Sequence, residues 1–437
     1  MIKRYKLRRS ALLCGAVACL LCVSLLLSSC MAIPGNSIIG AQVNENGELV
    51  VSYLNGTEEN LGTVQGADGT NGADGQDGAD GLDGLNGASS EAEQIINATA
   101  RGLRSAVSIT CKFTKAIGGT SYGSAGSGVI YQMNKSAGTA YIITNYHVVY
   151  DANCNTSNKI SNQITVFLYG AEYDDLGLSA TYVGGSMNYD IAVLRVENTM
   201  LSTAEFASAV AIADSDKITV GESAIAIGNP EGYGIAASSG VVSVDSENIT
   251  MTGADDSTKV TMRLMRIDTA VNSGNSGGGL FNSRGQLIGI VNAKIIDESV
   301  ENIAYAIPSN VAIAVANNIM EHGSSTVLCA TLGIEVGITD SKAVYDAETG
   351  SISLQEVITV NSVQATGIAY QKIQKGDHLV SATLNQGEPL VLTRQHMLTE
   401  LLLNARVGDT LTLVIRRNNA EETVSINITS ACMKIVA

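Results

Sequence analysis

Ser276 lies in the run Val271 to Leu280, VNSGNSGGGL, between an asparagine and three consecutive glycines. Glycine at this density is found where the backbone must adopt positive φ or pass very close to another group. In Gly274-Asn275-Ser276-Gly277-Gly278 a serine could project from a tight turn whose backbone N–H groups face one way, as a nucleophile beside a developing oxyanion requires. The same residues also make an ordinary glycine-rich hairpin turn. A base, and a group to orient it, would separate the two readings. His147 ends the apolar run Ala140 to Val149, AYIITNYHVV, and Asp190 follows 43 residues later in MNYDIAVLRV, just before another apolar run. Alone, such a histidine is more often structural and such an aspartate a strand cap. Together with Ser276 they could carry out nucleophilic acyl transfer: the imidazole moves the hydroxyl proton and the carboxylate holds the imidazole.

These residues need rigid strand ends to hold them. VSITCKF, GSGVIY, AYIITN, ITVFLYG, IAVLRV and AIAIGN are short β-rich runs between glycine and polar turns, the pattern of antiparallel barrels rather than of βαβ units. Ser90-Glu91-Ala92-Glu93 reads as a capping box, and Ile95, Ile96, Thr99 and Leu103 continue at helical spacing, so a short helix opens this region.

GSGVIY, TNYHVV, DIAVLRV, VGESAIAIGNPEGYGIAASSGVVS, VNSGNSGGGLFNSRGQLIGI and NIAYAIPSN follow one another as in the HtrA (DegP-like) branch of the chymotrypsin-like serine proteases, and the chain resembles that branch from Ala106 to Asn318. The resemblance implies a mainly β fold, a chymotrypsin-like double β-barrel, with His147, Asp190 and Ser276 as catalytic residues and no cofactor or metal. An oxyanion hole is expected over Gly274, Asn275 and Ser276, from the backbone N–H groups of Gly274 and Ser276. The position six residues before the serine, an aspartate in trypsin-like enzymes, is Ala270 here. With Ile290, Val291, Asn292 and Ala293 as the later wall, the specificity pocket is expected to favour small or medium aliphatic side chains. Two departures stand out. Gly279 occupies a position where the family often has proline, and the loop from Phe113 to Gly123 is short, which removes the long regulatory loop of some members.

Beyond a helix around Val311 to Glu321, Thr331-Leu332-Gly333-Ile334-Glu335-Val336 resembles the carboxylate-binding loop and following strand of a PDZ domain. ATGIAYQKIQKGDHLV and VGDTLTLVIRR match its middle and end. An α+β PDZ domain is therefore expected, binding a peptide C-terminus at Thr331, Leu332, Gly333 and Ile334 beside a helix from Thr393 to Ala405. Met397, Leu398, Leu401, Leu402 and Ala405 form that helix's apolar face. His378 reads as a surface or edge histidine, and His322 and His396 as ordinary ones.

The N-terminus carries Lys3, Arg4, Lys6, Arg8 and Arg9 before an apolar run from Ala11 to Leu27, the layout of a secretory signal, and Leu27-Ser28-Ser29-Cys30 resembles a lipobox with Cys30 as the lipidated residue. Removal of those five positive charges takes the net charge from −16 to about −21, which argues against a nucleic-acid partner. GELVVSYLNGTEENLGTV alternates either side of Asn55-Gly56 and predicts a β-hairpin. From Gly66 to Gly87 glycine recurs at every third position, the collagen period, but with no proline and with five aspartates. It reads as a hydrated spacer or as a weakly trimerising stalk. Of the cysteines outside the signal and lipid positions, Cys111 and Cys154 could pair across the histidine strand, yet no spacing indicates a disulfide framework or metal site, and four histidines are too few for a histidine-rich metal centre.

The organisation expected is a lipoprotein signal over 1–29, a tether over 30–88, a trypsin-like protease over 89–323 and a PDZ domain over 324–437. The function expected is a cell-membrane, lipid-anchored, extracytoplasmic serine endopeptidase that cuts polypeptide substrates; the resemblance implies a homotrimer. The alternatives are a non-proteolytic, chaperone-like peptide-binding lipoprotein and a surface adhesin.

Overall fold

The computed structural model describes residues 38–63, 90–171, 176–293, 303–323, 327–347 and 350–436. The signal, Cys30, the glycine repeat and the Ser324-Ser325 hinge fall outside them. The chain divides into two compact units, Met1–Asn86 and Gly87–Ala437. In the first, β1 (Ile38–Val43), β2 (Glu48–Tyr53) and β3 (Glu58–Thr63) make one antiparallel sheet. The Asn55-Gly56 turn joins β2 to β3 as expected, with Gly56 N–H donating to Tyr53 O and Tyr53 N–H to Thr57 O; strand β1 is an addition.

The second unit opens on helix α1 (Glu91–Leu103), whose Ser90 capping box is formed by both reciprocal bonds. Its inner face is Ala98 and Gly102, whereas Ile96 is 66% exposed. Strands β4 (Ala106–Thr114), β5 (Ser121–Asn134), β6 (Thr139–Thr144), β7 (Gln163–Leu168), β8 (Leu178–Ser186) and β9 (Ile191–Glu197) close a barrel in the order β4-β5-β6-β9-β8-β7. A second barrel follows from β10 (Ser223–Gly228), β11 (Ala236–Thr252), β12 (Lys259–Ile267), β13 (Gly279–Phe281), β14 (Leu287–Asn292) and β15 (Ala304–Pro308), in the order β10-β11-β12-β15-β14-β13.

Continuous apolar runs suit these strands because both faces are covered. In β9, Ala192, Leu194 and Val196 fill the first barrel while Ile191 and Val193 turn to a cluster shared with the second. In β10, Ala224 and Ala226 point into the second barrel and Ile225 and Ile227 into the shared cluster. The period of two along each strand thus builds two barrel cores and the layer joining them. Helix α3 (Ser309–His322) lies over this layer, burying Val311, Ala312, Val315 and Ile319, and ends on Gly323.

Beyond it, β17 (Ile334–Tyr345), β18 (Ile352–Val363), β19 (His378–Leu384), β21 (Thr410–Arg417) and β22 (Ala420–Asn427) form an antiparallel sheet in the order β17-β18-β19-β21-β22, with β20 (Leu390–Val391) beside β19. Helix α4 (His396–Leu403) is shorter than the expected Thr393 to Ala405 and buries Met397, Leu398, Leu402 and Leu403. β16 (Leu328–Ala330) pairs with β23 (Met433–Ile435). The mainly β architecture, two barrels followed by an α+β sheet, is the one expected.

Helix α4 meets the β11–β12 hairpin of the second barrel through charge. Glu400, 7% exposed, accepts two hydrogen bonds from Arg263 Nη1 at 2.6 and 2.7 Å, and Arg394 Nη1 reaches Asp245 Oδ2 at 2.5 Å. His396 is no ordinary surface histidine. Its side chain is 16% exposed, and its Nδ1 lies 3.4 Å from Ser246 Oγ. Burial lifts the Glu400 carboxyl to about 7, and burial with Arg263 and Arg394 nearby depresses His396 to about 3. Asp216, His396 and Glu400 have the donor types of a cation site, but Arg263 already bonds both carboxylates. The four cysteines Cys111, Cys154, Cys329 and Cys432 are free.

Candidate active site

Strand β6 ends at Thr144, and one helical turn, α2 (Tyr146–Val149), carries His147. Asp190 closes a turn begun at Met187 and sits at φ 49°, a left-handed conformation that aspartate tolerates better than most residues. Its carbonyl accepts Asn145 Nδ2 at 2.8 Å and Tyr146 N–H at 3.2 Å, which ties the aspartate turn to the histidine turn. Its carboxylate completes the join: Oδ1 accepts His147 N–H at 3.0 Å and Oδ2 meets His147 Nδ1 at 2.7 Å. Asp190 is 4% exposed, so these charge-assisted bonds lie out of water.

Ser276 comes from the second barrel, in the loop between β12 and β13, and is 6% exposed. Gly277 sits at φ 84°, and a Cβ there would run into Ser127 O and Thr144 Oγ1, so any side chain would be both strained and blocked. Gly274 is at φ 92°, and a Cβ there would run into Asn229 O. Among the described residues, Ser276 Oγ accepts a hydrogen bond from Ala293 N–H at 3.3 Å and makes none with His147. The structure therefore assembles His147 with Asp190 and holds the Ser276 loop of the second barrel against the first, with the Ser276 hydroxyl on the strand-end amide.

Of the expected oxyanion residues, Asn275 differs. Its N–H donates to Asn272 O at 3.0 Å, whereas among the described residues the N–H groups of Gly274 and Ser276 have no protein acceptor. The expected specificity wall is corrected further. Every residue of β14 is buried, because the strand lies inside the barrel wall with neighbours on both sides. Ile290 joins the cluster between the barrels and Val291 the second barrel core. Asn292, fully buried, turns Nδ2 to Asp190 Oδ2 at 2.9 Å. Ala270 and Ala293 alone of the five keep solvent access.

Two roles were not foreseen from the residues alone. Asn292 supports the aspartate, a contact invisible without the fold. Ser127 Oγ donates to Gly274 O at 2.7 Å and its N–H to Ser276 O at 2.8 Å, linking the first barrel to the serine loop. The serine between two glycines in GSGVIY was its one sequence signal.

The expected carboxylate loop divides likewise. Thr331 N–H and Oγ1 both donate to Cys432 O, at 2.8 and 3.0 Å, so Thr331 is committed to the sheet edge. Leu332 O and Gly333 O accept from Ala369 and Gln364, while the Leu332 and Gly333 N–H groups have no acceptor among the described residues. Ile334 begins β17, and Gln395 Nε2 bonds Val336 O at 3.0 Å across the cleft between β17 and α4. His378 lies on β19 with Nδ1 2.8 Å from Thr359 Oγ1.

Comparison with known proteins bears on this geometry. Residues 126–290 match the family model described as a trypsin-like peptidase domain. The chain is 30% identical over 326 residues to the serine protease Do-like HtrA of Lactococcus lactis subsp. cremoris, covering 72% of each. The chain belongs to the HtrA family of serine proteases. It is also 34% identical over 269 residues to the periplasmic pH-dependent serine endoprotease DegQ of Escherichia coli, covering 61% of this chain and 51% of that one. Among solved structures, the HtrA-type protease AlgW with tripeptide is 27% identical, with a TM-score of 0.48 over 78% of this chain and 97% of that one. This HtrA chain is accordingly a serine endopeptidase, and its matched segment contains Ser127, His147, Asp190 and Ser276.

Proposed function

We propose that this HtrA protease cleaves exposed or misfolded polypeptides outside the cytoplasm with Ser276 as nucleophile, His147 as base and Asp190 as the group that orients it. Ser276 Oγ leaves the Ala293 amide, turns to His147 Nε2 and adds to the scissile carbonyl carbon as the imidazole takes its proton. The oxygen that gains charge lies on the Gly274 and Ser276 N–H groups, worth about 3–4 kcal/mol for each such donor removed elsewhere. His147 then returns the proton to the leaving amine, and water repeats the sequence on the acyl-enzyme. Substrate side chains before the cut meet Ala270 and Ala293, so small aliphatic residues are favoured. The observation that carries this reading is the doubly bonded His147–Asp190 pair, with a glycine loop packed against the same turn at Asn145 whose Gly274 and Ser276 N–H groups have no acceptor among the described residues.

The C-terminal sheet acts as a PDZ module. A peptide C-terminus would place its carboxylate on the Leu332 and Gly333 amides and lie along β17 beside α4, where Gln395 now occupies Val336 O. Lipidation at Cys30 would hold the enzyme on the membrane, and the glycine repeat would lift it off, with trimerisation suiting a three-chain stalk. The full chain should degrade an unfolded protein and react with a fluorophosphonate probe, and Ser276→Ala should do neither. Equal inertness of both would sink the proposal.

A further inference from the structure

The serine loop can be audited one peptide group at a time, because a buried backbone carbonyl or N–H normally has a partner. The carbonyl of Ser273 accepts Glu231 N–H at 2.8 Å, that of Gly274 accepts Ser127 Oγ at 2.7 Å, that of Asn275 accepts Gly278 N–H at 2.9 Å, and that of Ser276 accepts Ser127 N–H at 2.8 Å. The N–H groups of Asn275 and Gly277 go to Asn272 O and Val291 O, both at 3.0 Å. Among the described residues, the N–H groups left without an acceptor are those of Gly274 and Ser276. Since each peptide is planar, these two N–H groups point opposite the Ser273 and Asn275 carbonyls, and the Gly274–Asn275 peptide is the link that joins the two donor-bearing peptides.

Ser127 is the one residue outside the loop that holds two of these four carbonyls. It is fully buried, its Oγ also accepts Asn229 N–H at 2.7 Å, and its carbonyl accepts Thr144 Oγ1 at 2.6 Å. Its hydroxyl is therefore clamped between the glycine loop and the Asn229 turn, with no freedom to serve elsewhere. Without that hydroxyl, the Gly274–Asn275 peptide between the two donors would keep only its bond through Asn275 N–H, and its plane would be free to tilt. We infer that Ser127 is a positioning residue of the hydrolysis: its hydroxyl sets the plane of the Gly274–Asn275 peptide and thereby the aim of the oxyanion-binding amides. This rests on the proposed role of Ser276.

The test is Ser127→Ala in the full chain, assayed for kcat and KM on a peptide substrate and for the rate of fluorophosphonate inactivation, each per folded molecule. Losing an oxyanion donor outright lowers kcat by about 100- to 1000-fold, so misaiming two should lower it by about 10- to 100-fold. KM should stay within about twofold, the probe rate should fall in step with kcat, and the pH profile should keep its shape, because the His147–Asp190 pair is untouched. Ser127→Cys, similar in size but a weaker donor, should fall between. A folded Ser127→Ala chain with wild-type kcat and probe rate, or with its whole loss in KM, overturns the inference. If Ser127→Ala fails to fold, Ser127→Cys decides on the same readouts. An inert wild-type chain would instead overturn the reading of Ser276, so the two failures are distinguishable.

Discussion

Asp190 does two jobs with one residue. Its backbone occupies a left-handed turn and its carboxylate takes three donors, His147 N–H, His147 Nδ1 and Asn292 Nδ2. Asparagine tolerates the same backbone, so Asp190→Asn should leave the melting temperature nearly unchanged while lowering kcat by about 10⁴-fold, the loss seen when such a triad aspartate becomes an amide. Gly277→Ala should do the reverse kind of damage. Its Cβ would run into the Ser127 carbonyl at a φ that alanine disfavours, so denaturant titration should show a loss of about 3 kcal/mol or more. His147, Asp190 and Ser276 were legible in the sequence because each stands at a marked point, a strand end, a turn or a glycine run. Asn292 was misassigned to a specificity wall, since whether a strand residue faces a pocket or a buried carboxylate depends on the barrel's curvature.

At the scale of elements, the contact between the β11–β12 hairpin and α4 is ionic, with Arg263 and Glu400 largely buried. Arg263 and Glu400 are 137 positions apart, and nothing in either neighbourhood signals the other. The helical pattern foretold Met397, Leu398 and Leu402 as core but could not foretell a buried Glu400, because a carboxylate is hidden only when a distant guanidinium meets it. Removing Arg263 leaves the Glu400 carboxyl buried without the guanidinium that satisfies it. Arg263→Met should destabilise the protein by about 3–5 kcal/mol in chemical denaturation, and adding Glu400→Leu should recover most of that loss. A double-mutant cycle with no coupling would show the pair to be incidental. Tyr189, beside Asp190, lines the same cleft as Arg263 and Glu400, so the Asp190 turn and the ionic contact share a wall.

Over the whole molecule, the two shifted groups of that contact oppose each other. Glu400 titrates at about 7 in the fold against 4.5 when unperturbed, so the folded state holds the extra proton and stability falls as pH rises between those values. His396, at about 3 against 6.5, is neutral in the fold where the unfolded chain is charged, so stability falls as pH drops through that window. Between about pH 4.5 and 6.5 the slopes offset. Glu400→Gln should expose the rise with pH from His396, and His396→Asn the fall from Glu400, both read as melting temperature against pH. If neither variant changes the slope, the contact does not govern acid stability. The barrel pattern was legible in six short apolar runs, now β4, β5, β6, β7, β9 and β10, and its doubling in the resemblance to HtrA proteases, whereas β16 and β23 were not legible, being three residues each and joined across a hundred others. That last pairing has a consequence for synthesis. Both barrels can close as they leave the ribosome, but the loop at Thr331 is held by Cys432 and its strand by Lys434, so the second module stays unfinished until residues 430–436 emerge. The chain is thus built with its chemistry complete before its C-terminal sheet can take shape.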